Sequence, residues 1–158
     1  MNISFDEAAE LAYFGAKILH PSSVLPAKRA NIPVRLKNTM QPLALGTLID
    51  AQQNGTGIKA IAAKDNITAI KINSDRMLLA HGFLRRVFEI FETYKTSIDM
   101  VTTSEVAVSV TIDECSRLDM ISRDLSDYGA IEIDKELTII CVVGDYIAKS
   151  KGYAHMIF

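Results

Sequence analysis

Only two cysteines and four prolines occur in 158 residues, and nowhere do enough apolar residues follow one another to span a bilayer, which takes about 18. That excludes a membrane-spanning helix as a partner for lipid. Positive charge is not in excess either, since 17 Lys and Arg stand against 19 Asp and Glu for a net charge of -2. Proteins that grip phosphate backbones carry clustered basic side chains, so nucleic acid is excluded as a partner class. The three histidines, His20, His81 and His155, are too widely spaced for a zinc site, and no metal ligand set is expected. Cys115 and Cys141 fall at a helix start and in a buried strand, which predicts two reduced core thiols rather than a disulfide. The opening MNISFDEAAE has acids where a secretory signal has a basic and then an apolar stretch, and a cytoplasmic location is expected.

What is present is the composition of a globular protein, 49% hydrophobic and 23% charged, in a length that suits one small domain plus pieces of its neighbours. Ser4 with Glu7 three residues on is a capping-box signature, and Leu11, Phe14 and Ile18 follow at helical spacing until Pro21. A short helical stretch lies around Pro26 to Ala30, then Ile32, Val34 and Leu36 alternate as a strand, with Pro33 suited to an edge. Gly46 to Ile49 is a further candidate strand. Residues 51 to 57, AQQNGTG, are polar and lack apolar periodicity, which predicts a boundary.

Beyond it the period changes repeatedly. Ile70 and Ile72 alternate as a strand, and Leu84, Val87, Phe88 and Phe91 form the apolar stripe of a helix. Ile98 to Val101 is a short strand, Thr102 to Glu105 a bend, and Val106, Val108, Val110 and Ile112 alternate cleanly. A helix from about Cys115 carries Leu118, Ile121, Leu125 and Tyr128 and ends at Gly129, a suitable residue after a helix. Ile131 and Ile133 begin the last strand. The order is βαββαβ, the α+β pattern of a ferredoxin-like sheet. Leu137 to Val143 is then a continuous apolar run suited to a buried strand, and Tyr146 to Phe158 has helical character. The predicted organisation is 1–50, a linker at 51–65, a small domain at 66–136, and the start of another at 137–158.

One patch combines several binding features. The amides around Gly82, Phe83 and Leu84, at a helix N-terminus, suit a carboxylate, and Gly82 permits close approach. Ser97, Asp99, Ser104 and Glu105 supply hydroxyls and carboxylates for an ammonium group. Together they suit a zwitterion, although every helix has a free N-terminus and every loop has serines and aspartates. No catalytic constellation and no GxxxxGK phosphate loop is found.

As text, FDEAAELAYFGAKILHPSSVLPAKRANIPVRLKNT (Phe5 to Thr39) resembles the end of the kinase domain of aspartokinases. RMLLAHGFLRRVFEIFETYKTSIDMVTTSEVAVSVTID (Arg76 to Asp113) resembles their first ACT domain, and LTIICVVGD (Leu137 to Asp145) the opening strand of their second. The resemblance implies an amino-acid kinase remnant of α/β type at 1–50, an ACT domain at 66–136 and a truncated second ACT domain at 137–158. It implies ATP-dependent phosphorylation of the aspartate β-carboxylate, with Mg and ATP as the full enzyme's requirements and feedback by an end product. The family's KFGG and TTDPR segments and its aspartate-binding residues are absent, so the resemblance leaves no catalytic residue in this chain. Lys17, in FGAK, matches a lysine that approaches ATP. Positions matching the effector site between two ACT domains are Met77, Ala80, Phe83, Leu84, Ser97, Ile98, Asp99, Ser104 and Glu105. Ala80 stands where lysine-sensitive relatives can have serine. The TTSE bend, Thr102 to Glu105, is closer to the lysine-responsive type, which makes lysine the first effector and threonine the second, with a homodimer formed through ACT domains. Competing readings are a stand-alone ACT module sensing an amino acid for another partner and a dimerisation element. An RNA-binding sheet would need exposed aromatics, and Val106 to Ile112 has none.

Overall fold

The capping box forms as its spacing predicts: the Glu7 amide donates to Ser4 Oγ at 3.2 Å, and the Ser4 amide donates to Glu7 Oε2 at 2.7 Å. They join β1 (Asn2–Ser4) to α1 (Phe5–Tyr13). The computed structural model describes residues 2–16, 19–52, 57–74, 81–145, 152 and 155. Within those, α1 stops at Tyr13 rather than running to Ile18, which lies outside the described residues. The next helix, α2 (Pro21–Ala30), starts earlier than its apolar residues suggest. His20 caps it through Nδ1, which accepts from the Ser22 amide at 3.2 Å, and Pro21 fits a first helical position that needs no amide donor. Strands β2 (Val34–Leu36) and β3 (Thr47–Asp50) complete a sheet ordered β1-β3-β2, with β1 parallel to β3 and β2 antiparallel at the edge.

Two long strands follow a different plan from the one expected. Gly57 to Asn73 is one strand, β4, so the expected linker at 51–65 is strand from residue 57 onward. Ala130 to Asp145 is likewise one strand, β7, and the apolar run Leu137 to Val143 continues it without a break. They are hydrogen-bonded neighbours. A Cβ on Gly144 would lie 2.2 Å from the Gly57 oxygen, and one on Gly129 would lie 2.3 Å from the Asn73 oxygen, so the pair is antiparallel from end to end. Each strand pairs one of its two edges with the other, and no local apolar period in the sequence records that pairing.

The chain divides within these strands into two compact units, one of residues 65–138 and one of residues 1–64 with 139–158. The core of the latter joins Ile3, Phe5, Ala8, Leu11, Val24 and Ile49 with Ala62 of β4 and Val143 of β7. It also contains an ion pair invisible to pattern reading. Lys59 Nζ donates to Glu7 Oε1 and Oε2 at 2.9 and 3.1 Å, with each side chain only 10% exposed.

Residues 65–138 form the βαββαβ domain: the second half of β4, α3 (Phe83–Thr93), β5 (Met100–Thr103), β6 (Ala107–Ile112), α4 (Leu118–Leu125) and the first half of β7. The sheet order is β5-β6-β4-β7 and the two helices share one core with it, as the ferredoxin-like expectation requires. Ile70, Ile72, Val108, Val110 and Ile112 are fully buried beneath Val87, Phe91, Ile121 and Leu125. Leu84 and Phe88, taken as part of the α3 stripe, flank it and stay over a third exposed, because Phe83, Val87 and Phe91 at spacing four occupy its centre. Tyr94 Oη donates to Asp124 Oδ2 at 2.6 Å, tying the end of α3 to α4.

Three local readings are corrected here. Strand β5 begins at Met100, two residues later than expected, and the turn after it is Ser104 to Val106. Cys115 precedes α4 and is exposed, so of the two free thiols it is not a core residue; it lies 3.1 Å from Thr68 Oγ1. Gly129 does not terminate α4, which ends at Leu125 with Ser126 as its cap. Its role is close packing of β7 on β4, where a side chain would collide with the Asn73 carbonyl.

Candidate functional site

The residues expected to bind an effector fall into two groups at opposite ends of the four-stranded sheet. Strand β4 ends at Asn73, which pairs with Ala107, so the connection into α3 and the β5–β6 turn share one end. Helix α3 begins there. Gly82 is its N-cap at φ 83°, and among the described residues there is no side-chain cap and nothing within 4 Å of the place a Cβ would occupy. The first intrahelical bond runs from the Arg86 amide to the Gly82 carbonyl at 3.2 Å, which leaves the amides of Phe83, Leu84 and Arg85 ahead of the hydrogen-bonded turns. This end carries partial positive charge from the helix and suits an anion. Phe83 is 6% exposed and packs edge-on to Tyr128, ring centroids 6.3 Å apart, which seats the start of α3 against the core.

Ser104 and Glu105 belong to the same end. The Ser104 amide donates to the Ala107 carbonyl at 2.8 Å and its hydroxyl accepts from the Ala107 amide at 3.1 Å, so Ser104 first of all closes the turn. Glu105 is exposed. Ser97, Ile98 and Asp99 belong to the other end. The Asp99 amide donates to the Thr111 carbonyl at 2.8 Å, and Thr111 pairs with Ala69, four residues back along β4 from Asn73. At about 3.3 Å per residue that is about 13 Å along the sheet from the Asn73 end of β4. Ile98 packs against the core, Asp99 is half-buried and Ser97 exposed. One chain therefore does not bring Asp99 to the helix end it was expected to face. Met77, Ala80 and Lys17 lie outside the described residues.

Sequence reading passed over Ser74. The buried alternation Ile70, Ile72 continues to it, so its side chain is on the helix-covered face of the sheet. It is 6% exposed, its amide donates to the Val106 carbonyl at 2.8 Å, and its hydroxyl has no hydrogen-bond partner among the described residues. The signal in the sequence was a serine at an apolar position of a period-two pattern.

Among the described residues no group of three or more His, Cys, Asp or Glu is placed to hold a metal, and no helix is long and apolar enough to cross a membrane. Among the described residues, the leading amides of α3 and the Glu105 carboxylate of the β5–β6 turn lie at the same end of the βαββαβ sheet.

Comparison with known proteins bears on this directly. The chain is 42% identical over 155 residues to the chloroplastic aspartokinase 3 of Arabidopsis thaliana, an alignment that takes in 91% of this chain and 28% of that protein. It superimposes on aspartate kinase of Clostridium acetobutylicum with a TM-score of 0.88 at 34% identity, over 99% of this chain and 39% of that one. Over nine-tenths or more of its length the chain is similar to aspartokinases. No family model matches it. A third relative is Escherichia coli aspartokinase III, solved in complex with lysine and aspartate: TM-score 0.80, 37% identity, 96% of this chain and 35% of that one. The chain thus spans about a third of the length of the aspartokinases it matches.

Proposed function

We propose that the chain is the effector-sensing segment of an aspartokinase and binds lysine to relay feedback inhibition to the phosphorylation of aspartate. The observation that carries this reading is the uncapped start of α3 beside the β5–β6 turn, in a chain aligned along its length with an aspartokinase solved with lysine bound. The helix amides receive the ligand carboxylate and the acidic residues Asp99 and Glu105 receive its ammonium groups. The 1–50 segment is the end of the kinase domain, with Lys17 at the position of the family's ATP-binding lysine, and 66–136 the first ACT domain, with 137–158 opening the second. Alone, the chain phosphorylates nothing.

Separation of the two residue groups favours a site shared between copies. Strand β5 is an edge strand with all four residues exposed, Met100 and Val101 among them. A second copy meeting it about a two-fold axis runs its own β5 in the opposite direction, which carries that copy's Asp99 to the end where α3 begins. A homodimer in the cytoplasm belongs to the same reading. Titration calorimetry of the chain against lysine, threonine and methionine tests it. Heat of binding from lysine, and a dimer mass by light scattering, are the expected results. No binding of any of the three overturns the proposal.

A further inference from the structure

We infer that Ser74 is a ligand-contacting residue of this effector site, its hydroxyl donating a hydrogen bond to the effector's carboxylate beside the amides of Phe83 and Leu84. The inference rests on the effector-site reading above and names a contact that it does not contain.

Three observations converge on Ser74. Its burial leaves 6% of the residue exposed, and its hydroxyl has no partner among the described residues. A buried hydroxyl without a partner is costly, and such groups in folded proteins usually mark something that completes them. The alternation of β4 puts the side chain on the face where the helices pack, at the strand end from which the chain proceeds to α3. Phe83, the first residue of α3, and Tyr128, which touches it, border the same end, and the Cβ of Ser74 lies 3.1 Å from the place a Gly129 side chain would take. The hydroxyl thus sits on the side of the sheet at which the uncapped amides of α3 begin. Its backbone, bonded to Val106, is one residue removed from Glu105 in the turn. A carboxylate at the helix end would accept from both kinds of donor, as oxyanions bound at helix N-termini commonly do.

Other residue types would not serve. A valine or isoleucine would continue the apolar face as Ile70 and Ile72 do and would carry no donor. Serine keeps the volume small and leaves a donor free.

The test is Ser74→Ala in the same chain, followed by calorimetry with L-lysine and a thermal melt. Loss of a hydrogen bond to a charged group weakens binding by about tenfold to a hundredfold. The expected result is that loss in lysine affinity with a melting temperature equal to or above the parent's, since the removed hydroxyl had no protein partner to lose. Lysine affinity unchanged in a variant whose parent binds lysine overturns the inference and leaves the effector-site reading standing. A lower melting temperature with unchanged affinity also overturns it, because the hydroxyl is then a structural group. Absence of lysine binding by the parent removes both together.

Discussion

Replacing Lys59 by methionine, which keeps the length of the side chain and removes its charge, isolates the ion pair inside the unit built on β1 and α1. In the parent the Glu7 carboxylate accepts from the Ser4 amide at 2.7 Å and from Lys59 Nζ at 2.9 and 3.1 Å, with both side chains nine-tenths shielded. Removing one partner of a buried pair leaves the other charge without compensation, at a cost of about 3 to 5 kcal/mol. An exposed pair would cost under about 1 kcal/mol. At 10% exposure for each partner, the first range applies. Converting Glu7 to glutamine in the same molecule removes the stranded charge while a glutamine at that position can still close the capping box. Lys59→Met with Glu7→Gln is therefore expected to regain more than half of the loss. Urea unfolding followed by far-UV circular dichroism measures both, and the difference between the single and double variants gives the coupling. A loss below about 1 kcal/mol for Lys59→Met, or a double variant weaker than the single one, would refute the argument that this pair is a buried charge balance.

Three further expectations concern the four-stranded domain. Tyr94→Phe removes the donor that, above all other influences, holds the Asp124 carboxyl below its ordinary value. The stability this adds is fully present above the ordinary carboxylate value and is lost as pH falls through the lowered folded value, so the variant should be less stable than the parent at pH 7 and the gap should begin to close in melts below about pH 4. Gly129→Ala puts a Cβ 2.3 Å from the Asn73 oxygen and should cost about 1 to 3 kcal/mol in urea unfolding; a neutral result would mean that β7 and β4 part easily there. Asp99→Ala should weaken lysine binding by more than about tenfold if a desolvated ammonium pair is lost, and calorimetry showing an unchanged affinity in a well-folded variant would move that role to Glu105.

Most features set by neighbours along the chain were legible in the sequence, although several element ends were not. The capping box at Ser4 and Glu7, the alternation of Val108, Val110 and Ile112, and the spacing of Leu118, Ile121 and Leu125 each state their own geometry, and the structure repeats them. The βαββαβ order and the family resemblance were legible for the same reason. What only the tertiary structure decided involves partners far apart in sequence. That residues 57–73 and 130–145 are two unbroken strands follows from each supplying the other's hydrogen bonds, which no local period records. Glu7 reads as a capping residue, and only folding sets Lys59 against it, 52 residues away. Asp99 and the start of α3 both read as binding residues, yet their separation is set by the direction of β5 and the length of the sheet, quantities that exist only once the strands have paired. Ser74 went unnoticed because burial is a property of the assembled core, in which its hydroxyl lies buried without a described partner.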